Sequence, residues 1–130
     1  MKYNITEEQL LSTFEAVVAE HGENTVYQFP DGATECKYVH VDSQGEDAPG
    51  CVWGHILNKL GIPLKVVDIY EGQGICFTLG SLTRLPVMPG SRHNNDRLGF
   101  ALRSSQGLQD DGGTWGEALA EFKRVLAEGL

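Results

Sequence analysis

Two segments of this sequence share one pattern: Cys36-Lys37-Tyr38-Val39-His40 and, after ten intervening residues, Cys51-Val52-Trp53-Gly54-His55. Each sets a cysteine four positions before a histidine. Positions i and i+4 share a face on a strand and on a helix. Each pair can therefore converge, and two pairs could form a tetrahedral zinc site from Cys36, His40, Cys51 and His55. The loop between them carries Gly45, Pro49 and Gly50 and could fold back. Two considerations oppose this. Zinc elements more often use knuckles with two residues between cysteines. A straight strand also separates i from i+4 by about 13 Å, too far for one ion unless the strand bends. The competing reading buries Cys36 and Cys51 as small apolar residues, the usual fate of a free cysteine. Zinc is thus the one cofactor the residues suggest, and otherwise none is expected.

The same residues could support thiol chemistry. Cys51 near a helix N-terminus would have a lowered pKa, with His40 or His55 to assist. Cys76 and His93 offer another pairing. No flanking motif marks a nucleophile, and catalysis requires geometry first. Gly72-Gln73-Gly74 and Gly112-Gly113 lack the spacing and the Lys-Ser/Thr of a phosphate loop. Arg84, Arg92, Arg97 and Arg103 are the candidate ligand-binding residues, since guanidinium groups clamp phosphate or carboxylate by bidentate contacts. Their ordinary alternative is a surface ion pair.

The charge pattern limits the partners. The chain has 130 residues and a net charge of −8. Residues 1–50 hold ten acids and two bases, while residues 51–130 hold eight of each. The whole excess therefore lies in the first 50 residues. Binding to nucleic acid or an anionic membrane needs a basic footprint, which is missing. A basic protein partner fits better, although acidity also serves solubility. No apolar run is long enough to span a membrane, and the polar start is unlike a secretory signal. The three cysteines are an odd and small number for a disulfide scaffold. A cytoplasmic location is the expectation.

The elements that must position these residues read as one α+β domain over 1–130. The reading has about four helices, a small antiparallel sheet with a hairpin near 25–41, and a C-terminal αα-hairpin. Thr6 and Gln9 form a capping box, with Ile5 and Leu10 as its staple. Leu10, Leu11, Phe14, Val17 and Val18 follow at helical spacing, and Gly22 stops the helix. Thr25 to Phe29 reads as a strand, Pro30-Asp31-Gly32 as its turn, and Glu35 to Val41 as the return. Asp42 to Gly50 reads as a polar loop. A second helix is expected over 51–60, ended by Gly61 and Pro63. Gly54 within it should be offset by close packing, because mid-helix glycine costs about 1 kcal/mol. Lys65 to Tyr70 fits helix or strand, and Ile75 to Leu79 reads as a short strand. A loop follows over 86–95. Two helices close the chain: one capped by Asn94 or Asn95, the other by Thr114 with Glu117. Trp53 and Trp115 align with apolar stripes and are expected in the core.

Several of these residues also carry a resemblance. Cys36-Lys37-Tyr38-Val39 is followed by Pro49-Gly50-Cys51-Val52-Trp53-Gly54-His55-Ile56-Leu57 and by Leu60-Gly61-Ile62-Pro63. The tail runs from Leu102 to Gln106, through Gln109-Asp110, to Gly113-Thr114-Trp115-Gly116-Glu117-Ala118-Leu119. These stretches resemble small accessory proteins encoded by bacteriophages of actinobacteria, over residues 26–63 and 98–122. The resemblance implies phage origin and expression inside a bacterial host. That family has no assigned function and supplies no active-site residues. With no catalytic constellation in view, the expectation is a non-enzymatic module that binds a host or phage protein, for counter-defence or host takeover. The alternatives are a binder or sponge for a nucleotide-like signal, and a zinc-stabilised interaction module. Helix 1 or the terminal hairpin could also pair two copies.

Overall fold

Helix α1, Glu7–His21, begins at the expected capping box. Thr6 Oγ1 accepts the Gln9 backbone N–H at 3.0 Å, and the Gln9 side chain accepts the Thr6 N–H at 2.9 Å. Leu10, Phe14, Val17 and Val18 are its buried face, and Gly22 closes it at φ 97°. This computed structural model describes residues 2–28, 37–87 and 97–128. Cys36, the Pro30-Asp31-Gly32 turn, Arg92, His93 and the Asn94/Asn95 cap lie outside the described residues.

The sheet differs from the expectation. Strand β1, Val39–Val41, pairs antiparallel with β2, Asp47–Pro49, in the register Val39↔Pro49, His40↔Ala48, Val41↔Asp47. The stretch read as a loop therefore supplies a strand. Its turn is made by Asp42, whose carboxylate accepts the Gln44 and Glu46 N–H groups at 2.8 and 3.0 Å. Asp-Ala-Pro has poor strand composition, so the turn rather than propensity sets this pairing. Residues 25–28 form no strand with β1. Val26 makes an isolated antiparallel bridge to Thr114. The backbone N–H groups of Trp115 and Gly116 donate to the Thr25 and Glu23 carbonyls at 2.7 and 2.9 Å. That segment thus ties the end of α1 to the start of α6, Trp115–Glu128.

Helix α2, Val52–Lys59, follows the sheet with Cys51 at its N-cap. Residues 64–68 resolve to a short helix, α3, Leu64–Asp68. Residues 75–79, expected as a strand, belong instead to α4, Ile75–Leu82. Its buried residues Ile75, Cys76, Thr78, Leu79 and Leu82 follow helical spacing, so tertiary burial overrides the β-prone composition. The described residues thus hold six helices and one two-stranded sheet.

Helix α5, Arg97–Asp110, and α6 pack as an antiparallel hairpin. Arg97 Nη1 donates to the Leu126 carbonyl at 2.8 Å, and farther along Ser104 donates to Glu121. Phe14 of α1, Trp53 of α2 and Phe122 of α6 meet at the centre. Their ring centroids lie 5.0 Å (Phe14–Trp53), 5.4 Å (Phe14–Phe122) and 5.9 Å (Trp53–Phe122) apart, with edge-on or tilted rings. Both tryptophans are buried, as their stripes require. No helix among the described residues is long and apolar enough to cross a membrane.

Candidate functional site

His40 lies on β1 and His55 on α2, and close backbone approach holds α2 against the chain entering β1. A Cβ on Gly54 would stand 2.0 Å from the Tyr38 carbonyl oxygen, so only glycine lets α2 rest on that strand. The backbone N–H groups of Gly50 and Cys51 donate to the Tyr38 and Lys37 carbonyls at 2.7 and 2.9 Å. Glu71 grips the same strand, its two oxygens accepting the Tyr38 and Val39 N–H groups at 2.8 and 2.9 Å. The Tyr38 hydroxyl donates to the Gln73 carbonyl at 2.6 Å, and burial pushes its pKa up to about 12. None of this was legible in the spacing of cysteine and histidine.

The three candidate metal ligands among the described residues, His40, Cys51 and His55, are differently engaged. Cys51 is fully buried and disulfide-bonded, so its sulfur is not the thiolate that zinc binding or thiol chemistry would need. Cys76 is buried and lies outside any disulfide. His40 Nε2 lies 2.6 Å from the Tyr27 hydroxyl, and that oxygen also accepts the Lys37 N–H at 3.0 Å. Burial raises the Tyr27 pKa, so the hydroxyl stays protonated near pH 7. Gly50 makes room for that ring: a Cβ there would lie 2.7 Å from His40 Cδ2. Beside the pair is an open recess of about 300 Å³ lined by Gln28, Lys37, Val39, His40 and Val41. His55 faces elsewhere, toward His21 and Trp115, at ring-centroid distances of 4.4 and 5.4 Å. Burial, then the neighbouring His21, lowers the His55 pKa to about 4. Among the described residues no group of three or more His, Cys, Asp or Glu side chains is arranged to hold a metal.

The arginines do not form one cradle among the described residues. Arg97 binds the Leu126 carbonyl and the Glu7 carboxylate, the latter at 3.2 Å. Arg103 turns toward α4, with Nη1 3.5 Å from Cys76 Sγ. Arg84 is exposed where its backbone N–H meets the Tyr3 carbonyl at 3.3 Å.

A different feature escaped the sequence reading. Ile69 is 76% exposed, and Phe77 and Phe100 are each 41% exposed. The Tyr70 and Phe77 rings stand 6.4 Å apart, and Ile69 adjoins Tyr70. Phe100 lies one turn before Arg103, whose guanidinium reaches the residue next to Phe77. Tyr70, just after α3, and Phe77 of α4 are thus ring neighbours, while Ile69 and Phe100 of α5 are further exposed apolar side chains. The helical fold of residues 75–82 exposes Phe77 while burying Cys76 and Thr78.

No protein-family model, curated protein or solved structure matches this chain.

Proposed function

We propose that this protein is a non-enzymatic binding module whose partner is another protein. The observation that carries the reading is the exposure of Ile69, Phe77 and Phe100. Large apolar side chains grouped outside the core mark contact surfaces more often than isolated ones do. The acid excess of residues 1–50 can steer a basic partner. In keeping with the phage resemblance, the partner is a host protein met in the bacterial cytoplasm. The arginine positions lend little to the nucleotide-like ligand reading, because Arg97 and Arg103 face different neighbours.

The test places a photo-crosslinking residue at Phe77 or Phe100 in the full chain, within host cells. One host protein should be captured in defined stoichiometry, and the purified pair should re-form a complex. Phe77→Asp with Phe100→Asp should abolish that complex while the circular dichroism spectrum is unchanged. A complex that survives the double variant moves the contact to another surface. Failure to form any complex with purified candidates, together with turnover of a substrate, overturns the reading.

A further inference from the structure

We propose that His21 and His55 form a two-imidazole binding site for a borderline divalent transition ion: Zn²⁺, Ni²⁺ or Cu²⁺. The site takes His55 from the Cys-His pattern of the sequence and joins it to His21 on another helix. His21 occupies the last turn of α1, and His55 sits in the first half of α2. Their ring centroids are 4.4 Å apart with planes inclined at 60°. An ion about 2.0–2.1 Å from one nitrogen of each ring would hold two imidazole centroids roughly 4.5–5 Å apart. The pair is thus already near chelating separation. Both rings lean on Trp115, at 5.3 and 5.4 Å, and that indole is almost completely buried. The floor of the site is therefore rigid.

Neither imidazole has a side-chain hydrogen bond to another described residue. His21 is exposed and His55 partly buried, so the pair sits at the surface, where an ion can reach it. A metal ion would satisfy one nitrogen of each. Imidazole selects zinc, nickel and copper over calcium and magnesium, which prefer oxygen. Glu20 adds negative charge beside the pair and is itself held by Lys59. Water would fill the remaining coordination positions, because no third side-chain ligand converges there among the described residues.

The experiment measures the thermal unfolding midpoint of the full chain, titrated with the chloride salt of Ni²⁺, Zn²⁺ or Cu²⁺ alone. The midpoint should rise with metal concentration, as for any ligand that prefers the folded state. Ca²⁺ and Mg²⁺ should have no effect. His21→Ala or His55→Gln should each weaken binding by roughly a hundredfold, because chelation by two linked groups is lost. His40→Ala should leave binding intact. Cu²⁺ should also broaden the Trp115 indole resonance before that of Trp53, a readout independent of stability. His21 is exposed, so its variant retains the fold. No shift with any of the three ions overturns the proposal, as does a shift unchanged in His21→Ala or one abolished by His40→Ala.

Discussion

Single side chains set the termini of two helices that carry no caps of their own. Cys51 and Gly74, the N-cap residues of α2 and α4, make no side-chain capping bonds. Instead, Gln109 Oε1 accepts the Val52 N–H at 2.9 Å, and Gln106 Oε1 accepts the Ile75 N–H at 2.8 Å. One turn of α5 thereby caps two other helices. Gln109 is fully buried, so Gln109→Leu would leave the Val52 N–H without a partner. The expected loss is about 1–3 kcal/mol, measured by urea unfolding. Tyr38 supplies the pH prediction. Its hydroxyl titrates near 10 in the unfolded chain, and in the fold it is pushed up to about 12. Its contribution is therefore complete below pH 10 and is lost as pH rises towards 12, because the unfolded chain ionises first. The loss should reach about 2–3 kcal/mol. Tyr38→Phe should flatten that part of the stability–pH curve, whatever its effect at neutral pH.

At the level of elements, packing decides where local preference does not. Glycine in mid-helix ordinarily gains stability when replaced by alanine, by about 1 kcal/mol. At Gly54 the sign should reverse. A methyl group 2.0 Å from the Tyr38 carbonyl would force α2 away from β1. Gly54→Ala should cost about 1–3 kcal/mol or more, as overpacking does. Gly107 in α5 is the control, since nothing lies within 4 Å of the position its Cβ would take. Gly107→Ala should be neutral or stabilising in the same unfolding measurement. The packing requirement at Gly54 was legible in the sequence; its partner was not. The helical state of residues 75–82 was not legible either, since Ile-Cys-Phe-Thr-Leu suits a strand until its neighbours choose the buried face.

For the whole molecule, the cysteines give the most direct check. Cys51 is disulfide-bonded and Cys76 is not. The chain unfolded without reductant should show one reactive thiol, and with reductant three, by colorimetric titration. Three thiols without reductant would mean that Cys51 is reduced in the isolated protein. The sulfur of Cys51 is fully buried, which slows exchange with thiol reductants wherever the protein acts. The acidity assigned to residues 1–50 also takes on a shape. Glu7, Glu15 and Glu20 of α1 pair across the molecule with Arg97, Lys123 and Lys59. Part of that charge therefore joins helices.

The Cys-His pattern shows most plainly what each level of description decides. The sequence by itself determined α1 with its capping box, the terminal helix pair, the burial of both tryptophans and the uneven charge. Those features depend on residues within a few turns of one another, so spacing reveals them. It also placed His40 and His55 at equivalent points of a repeated motif. Only the tertiary structure decided that they part company, one toward Tyr27 and the other toward His21 and Trp115. The partners come from other segments of the chain, well beyond a few turns away, and no local spacing encodes which of them will arrive beside each ring.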